Sequence, residues 1–248
     1  MIISKTPYRI SFFGGGTDYP HWYNKNGGEV ISATIDKYIY ISCRRLPNFF
    51  KHNYRIVYSK IEHVKNLKNI KHSVVREILT KSKIKHGLEI HYDGDIPARS
   101  GMGSSSSFVV GLIKAVNSFN KIKLNKLHLA KESIYLEQTV LKETVGSQDQ
   151  IAAAFGGLNS IKFFKNGKFK ITPLIKDKKE LKKFNKNFFL IFTGINRTAK
   201  FIANTYVNKL ANEKKNDLLK ISNHVKTAKK LLIKKKYDDF GLLLNETW

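Results

Sequence analysis

Three stretches of this 248-residue chain carry residue types whose spacing could do chemistry. The first is Asp95-Ile96-Pro97-Ala98-Arg99-Ser100-Gly101-Met102-Gly103-Ser104-Ser105-Ser106-Ser107. Gly101 and Gly103 let the main chain bend and approach a ligand with no Cβ in the way. A helix starting just after them would turn unpaired N–H groups and its positive dipole end on the loop. That arrangement suits a phosphate, with serine hydroxyls able to cap the helix, donate to phosphate oxygens or ligate Mg2+. The stretch is not a G-x-x-x-x-G-K-[ST] P-loop, because no Lys follows the second glycine, and it is not a G-x-G-x-x-G dinucleotide turn. On the residues alone, an ordinary Gly/Ser helix cap fits equally well. The second stretch, Pro7–Pro20, places Gly14, Gly15 and Gly16 and then Thr17 and Asp18 directly after an apolar run containing Arg9. Three consecutive glycines cost backbone entropy, so they either close a tight turn or leave room for a ligand whose hydroxyls Asp18 would accept. Arg9, inside that run, must face solvent, a carboxylate or an anion. The third stretch pairs Glu137 with Gly146-Ser147-Gln148-Asp149-Gln150-Ile151 and the small residues Ala152–Gly157. There Asp149 reads either as a helix N-cap or as an acid with a chemical role.

These residues need elements to hold them. Residues 2–13 and 30–43 carry β-branched and aromatic residues in partial alternation and predict strands, as does the strict alternation of Leu88-Glu89-Ile90-His91-Tyr92 before the turn signal Asp93-Gly94-Asp95. Phe108, Leu112, Ala115, Val116 and Phe119 recur at helical spacing behind the serines and predict a helix over 104–119, and a second helix is expected over 126–142. Leu158–Phe164 and the apolar Phe188–Phe192 predict further strands. From Thr198 the pattern turns helical, with Leu218, Ile221, Val225, Ala228, Leu231 and Leu232 in one stripe, and Phe240, Leu243, Leu244 and Trp248 suggest a last helix without a stop signal. A β-rich first half followed by helices is the mixture of an α+β protein rather than a regular βαβ winding.

Composition limits the partners. Apolar residues at 42% and charged residues at 26% are ordinary globular usage. The single Cys43 excludes an internal disulfide framework and a cysteine-based zinc cluster. No apolar run reaches the roughly 18 residues of a membrane span, and no signal peptide opens the chain, so a cytoplasmic protein is expected. The net charge of +26 raises nucleic-acid binding as a hypothesis. Its texture favours another explanation: only seven of the 45 basic residues are Arg, and 20 Asn accompany the scattered lysines, so a drift toward Lys and Asn accounts for the excess. No specific nucleic-acid partner and no membrane partner are expected, whereas anionic small molecules remain suitable ligands.

The order of a glycine-rich, acid-bearing turn, a P-x-x-x-G-M-G-S-S-S-S loop and an S-Q-D-Q segment resembles the GHMP small-molecule kinases. Within them, R-I-S-F-F-G-G-G-T-D-Y over Arg9–Tyr19 is most similar to the sugar 1-kinases acting on heptose 7-phosphate. The resemblance implies an N-terminal ribosomal-S5-like α/β domain over 1–157 that binds nucleotide and sugar. It also implies a ferredoxin-like α+β domain over 158–248, incomplete because the family's third glycine-rich motif is absent and the chain ends abruptly at Trp248. It implies ATP and Mg2+ as cofactors, with Pro97, Ser100, Gly101, Met102, Gly103, Ser104, Ser105 and Ser106 wrapping the nucleotide, and Ser105 (or its neighbour Ser104) and Glu137 holding the metal. By the same resemblance Asp149 is the catalytic acid, Arg9 lies near the attacking hydroxyl, and Asp18 with Gly14, Gly15, Gly16 and Thr17 receives the sugar. Gly15 and Gly16 stand where galactokinases have Glu and His, which disfavours galactose and opens the pocket to a larger sugar. Arg197, in Thr193-Gly194-Ile195-Asn196-Arg197, is the candidate for the substrate's own phosphate. The expected reaction is ATP-dependent phosphorylation of an anomeric hydroxyl, converting heptose 7-phosphate to the 1,7-bisphosphate for surface-polysaccharide or nucleotide-sugar synthesis. A fucokinase-like activity and a non-catalytic ligand sensor on the same fold are the competing readings.

Overall fold

A computed structural model describes residues 1–84, 86–98, 100–194, 207, 210 and 213–247. The chain forms two compact units, each assembled from separate pieces of sequence. The first comprises Met1–Tyr8, Ile35–Glu143 and Ala153–Phe155, and the second comprises Arg9–Thr34, Thr144–Ala152 and Gly156–Trp248. Strands β1 (Ile2–Phe13) and β2 (Gly28–Arg45) contribute residues to both.

In the first unit the later part of β2 pairs antiparallel with β5 (Leu88–Gly94), from Ile39 opposite Gly94 to Arg45 opposite Leu88. Strand β3 (Tyr54–Val57) runs parallel to β5 and forms an antiparallel pair with β4 (Ile61–Val64). Ile39, Ile41 and Cys43 alternate inward from β2, and Ile56, Leu88 and Ile90 join them from β3 and β5. Helices α2 (Ser73–Ser82), α3 (Ser104–Phe119) and α4 (Lys126–Tyr135) complete this core with Val75, Leu79, Val109, Leu112, Val116 and Leu129. Each such side chain contributes about 1.5–3 kcal/mol by leaving water. Helix α3 is buried over most of its circumference, as its apolar composition demands. Gly111 lets it press onto β1, where Ser4 Oγ donates to the Gly111 carbonyl at 2.8 Å.

In the second unit the first part of β2 pairs antiparallel with β6 (Leu158–Phe163), and β6 with β7 (Phe169–Pro173). Helix α1 (Pro20–Asn26) follows the glycine turn, and α5 (Gln148–Phe155) begins at the S-Q-D-Q segment. Helices α6 (Lys178–Asn185), α7 (Lys215–Ile233) and α8 (Tyr237–Thr247) bury Phe184, Val225, Ala228, Leu232, Phe240 and Leu243 against Phe13, Ile31 and Leu158. Among the described residues no helix is long and apolar enough to cross a membrane.

The α+β class is as expected, and β1 and the 104–119 helix have the expected bounds. Three local expectations need correction. The second helix does not run unbroken over 126–142: α4 stops at Tyr135 and a π-helical turn, Leu136–Val140, takes over, with the Leu141 N–H reaching back to the Leu136 carbonyl. The strand expected over Phe188–Phe192 does not form, and Phe189–Phe192 are exposed. Strand preference reflects fit to a paired surface, and no described strand pairs with this run. Strand β5 continues through Asp93-Gly94, so the turn begins at Asp95. Most of the stretch expected to turn helical at Thr198 lies outside the described residues up to 212, as do Arg99 and Trp248.

Candidate active site

In the second unit the glycine turn is shaped by backbone contacts. Gly14 has a φ of +91°, and a Cβ there would stand 2.1 Å from the Glu29 carbonyl oxygen, so only glycine fits. The Thr17 hydroxyl donates to the Gly14 carbonyl at 2.7 Å and accepts the Glu29 N–H at 3.2 Å. Gly14 and Thr17, both assigned above to the sugar, are therefore occupied in closing the turn. Gly15 is different: among the described residues a Cβ added there would meet nothing within 4 Å.

The turn delivers Asp18 into the interior, where it is 1% exposed. Its carboxylate accepts the Gly16 N–H at 3.1 Å and the Gln148 N–H at 3.4 Å, and its main-chain carbonyl accepts the Ser147 N–H at 2.9 Å. Burial, and then the charge of Asp149, push its carboxyl from the usual 3.8 up to about 6. A Cβ on Gly146 would lie 1.8 Å from Asp18 Oδ2, so the absent side chain of Gly146 is what admits the acid. The Tyr23 hydroxyl braces the segment through Ser147 Oγ at 3.3 Å.

Asp149 stands in the first turn of α5, yet the residue at the cap position is Ser147 and no side chain caps that helix. Instead Arg9 forks onto Asp149, with Nε donating to Oδ1 at 2.7 Å and Nη2 to Oδ2 at 2.8 Å. Both side chains are only partly exposed, at 14% and 23%. Such a bidentate pair fixes the plane of the carboxylate as well as its position. Arg9, Asp18 and Asp149 thus share one polar cluster, joined by Gly16, Gly146, Ser147 and Gln148.

In the first unit the serine loop ends at Gly103, whose φ of +73° places it in the left-handed region, and α3 starts at Ser104. Gly101 has a φ of +75° and open space where a Cβ would be. The first intrahelical bond of α3 runs from the Ser107 N–H to the Gly103 carbonyl, and no side chain caps the helix. The N–H groups before it lack intrahelical partners by geometry. Ser100 Oγ is buried without a hydrogen-bond partner among the described residues. An uncapped helix mouth, two left-handed glycines and an orphaned hydroxyl fit a nucleotide's phosphates better than a plain structural cap.

The four serines divide by face. Ser104 is half-buried and Ser105 exposed, while Ser107 Oγ donates to the Pro7 carbonyl at 2.9 Å. Ser106 Oγ donates to Glu137 Oε2 at 2.8 Å, with both residues buried. The hydroxyl that meets Glu137 is thus one residue beyond Ser105. A hydroxyl and a carboxylate are hard oxygen donors that suit Mg2+. Among the described residues no three His, Cys, Asp or Glu side chains gather as a metal site, so a cation here would need phosphate oxygens to complete its shell. Pro97 is exposed and Met102 half-buried in the same loop, and Arg197 lies outside the described residues.

The sequence did not single out Gly146 or Gln148, and it assigned Ser106 to the nucleotide while assigning the hydroxyl partner of Glu137 to Ser105 or Ser104. The signal for Gly146 was its place immediately before S-Q-D-Q.

Known proteins bear on both clusters. Residues 67–157 match the GHMP kinases N terminal domain. The D-glycero-alpha-D-manno-heptose 7-phosphate kinase of Campylobacter jejuni is 30% identical over 260 residues, covering 100% of this chain and 76% of that enzyme. A galactokinase from Clostridium tetani is 29% identical over 163 residues, covering 61% of this chain and 40% of its own. The crystal structure of a D-glycero-D-manno-heptose 1-phosphate kinase from Bacteroides thetaiotaomicron superposes with a TM-score of 0.83 at 24% identity, over 100% of this chain and 78% of that one, which shows the fold. With a family domain matched across the serine loop and α5, and a relative aligned along its whole length, the chain belongs to the GHMP kinases, a family of ATP-dependent phosphotransferases.

Proposed function

We propose that the chain phosphorylates the anomeric hydroxyl of a sugar with ATP, and that the sugar is a heptose 7-phosphate. The observation that carries this reading is the Arg9–Asp149 fork beside a buried Asp18, in a chain 30% identical to a heptose 7-phosphate kinase. Phosphoryl transfer offers a protein little covalent chemistry, so positioning and charge neutralisation are its main contributions. Each Asp149 oxygen uses one lone pair on the guanidinium and keeps another for the attacking hydroxyl. Asp149 orients that hydroxyl and takes its proton, which is easier for an anomeric hydroxyl than for an ordinary alcohol. Arg9 holds the carboxylate and counters the charge that develops on the attacking oxygen. Asp18 accepts a second sugar hydroxyl, and Gly15, with open space above it, leaves room for the ring.

The serine loop, with the Ser100 hydroxyl and the uncapped start of α3, holds the phosphates of ATP. Ser106 and Glu137 would hold Mg2+, which supplies charge neutralisation on those phosphates. A cytoplasmic location fits a soluble sugar phosphate as substrate. The test is ADP release from Mg·ATP across a panel of sugar 7-phosphates and unphosphorylated hexoses. Turnover with a heptose 7-phosphate, lost in Asp149→Asn with ATP binding intact, is expected. Full activity of Asp149→Asn refutes the assigned role, and preference for an unphosphorylated hexose refutes the substrate.

A further inference from the structure

Gln148 has no part in the mechanism above, yet it is 7% exposed and its side-chain Oε1 is buried with no hydrogen-bond partner. Leaving a buried carbonyl unpaired is destabilising, and packing alone gives no reason for an amide rather than an apolar side chain there. Its neighbours belong to the polar cluster on both sides. The Ser147 N–H holds the Asp18 carbonyl, the Gln148 N–H is donated to the Asp18 carboxylate, and Asp149 forks with Arg9. The amide therefore hangs from the peptide that links two acids.

We infer that the Gln148 carboxamide binds a hydroxyl of the phosphoryl acceptor and selects for sugars that present it. This rests on the proposed sugar-kinase reading. The choice of ligand follows from charge. Arg9 already balances Asp149, so an anionic group would meet the Asp18 carboxylate, and a cation would be drawn to that carboxylate in preference to a neutral amide. A hydroxyl is neutral and both donates and accepts, so it satisfies the amide whichever way the amide is turned. Because Oε1 already lacks a partner in the free protein, a sugar missing that hydroxyl leaves the amide as it was. Discrimination is accordingly modest, about 10–100-fold, below the level reached where the wrong ligand leaves unpaired a polar group that water satisfies in the free protein.

The experiment compares wild type with Gln148→Leu and with the closer-fitting Gln148→Met, which carries the test if the leucine variant does not fold. Sugar and ATP kinetics, turnover of a series of monodeoxy sugars and unfolding stability without ligand are measured for each. The expected result is a sugar KM raised about 10–100-fold, an unchanged KM for ATP and an unfolding midpoint equal to or above that of wild type. One monodeoxy sugar should be disfavoured by wild type and no longer by the variants. An unchanged sugar KM with unchanged deoxy-sugar discrimination overturns the inference, as does a loss of stability with kinetics intact, which marks a purely structural residue. Wild type that turns over no sugar at all overturns the sugar-kinase reading and this inference with it, whereas active wild type with indifferent variants overturns this inference alone.

Discussion

Replacing Asp18 with Asn should change how the protein's stability responds to pH. The folded carboxyl is pushed up to about 6, above the 3.8 expected when the chain is unfolded. A raised acid contributes stability that is fully present below the unfolded value and is lost as pH climbs through the folded one. The rise is roughly two pH units, and at 1.36 kcal/mol per unit it makes wild type about 3 kcal/mol less stable at pH 8 than an uncharged Asp18 would leave it. Asn stays neutral throughout. Its amide can accept only one of the Gly16 and Gln148 N–H bonds, which lowers its stability by a constant amount at every pH. Urea unfolding of both proteins at intervals from pH 4 to 8 removes that constant. The stability of Asp18→Asn minus that of wild type should rise by about 2–3 kcal/mol across the series, most steeply between pH 4 and 6. Parallel curves, or a difference that falls with pH, would show that Asp18 is not held protonated by its surroundings. In the kinetic counterpart, the sugar KM of wild type falls as pH rises through 6, while that of the variant is higher and flat.

Four further outcomes follow from the geometry. Gly146→Ala places a Cβ 1.8 Å from Asp18 Oδ2, so unfolding measurements should show a loss of about 1–3 kcal/mol and kinetics a sharp drop in sugar turnover, with ATP binding kept. Arg9→Lys keeps the charge and loses the fork, and kcat should fall ~10²–10³-fold with ATP affinity unchanged; a near-native rate would mean charge alone suffices. Ser106→Ala and Glu137→Gln should both raise the Mg2+ concentration needed for half-maximal turnover, and a larger effect from Ser105→Ala would return the metal to that hydroxyl. Among the described residues Gly15→Ala meets no atom within 4 Å, so unfolding should be unaffected while sugar KM rises, and an unchanged KM would remove the ring from that position.

Much of the frame was legible because it follows from local pattern. The strand over Ile2–Phe13 and the helix over Ser104–Phe119 announce themselves by apolar run and by helical spacing behind a Gly/Ser start. Arg9 stood out as a charge inside an apolar run, whereas Asp149 read equally as a helix cap until the S-Q-D-Q resemblance gave it a role, and their pairing joins positions far apart in sequence. What was not legible depended on register and close approach. Successive helical residues point about 100° apart, so placing Glu137 against Ser106 rather than Ser105 is a change of face that no spacing rule resolves. Gly146 matters for what it lacks, and that shows only once Asp18 is beside it. The run Phe188–Phe192 has strand composition without a described strand to pair with, and the short β3 and β4 carry too few residues for a period to emerge.

The way β2 is shared has a consequence during synthesis. Residues 28–33 wait for partners at 158–163, and Ile35–Glu143 closes with Ala153–Phe155. A nascent chain emerging from the ribosome therefore carries an unmatched row of amides and carbonyls on β2 throughout the intervening translation, which is the kind of edge that invites a neighbouring chain. The first unit gains its last piece only at Ala153–Phe155 and the β2–β6 pairing forms only at 158–163, so limiting the supply of holdase chaperones should lower the yield of folded chain in a cell.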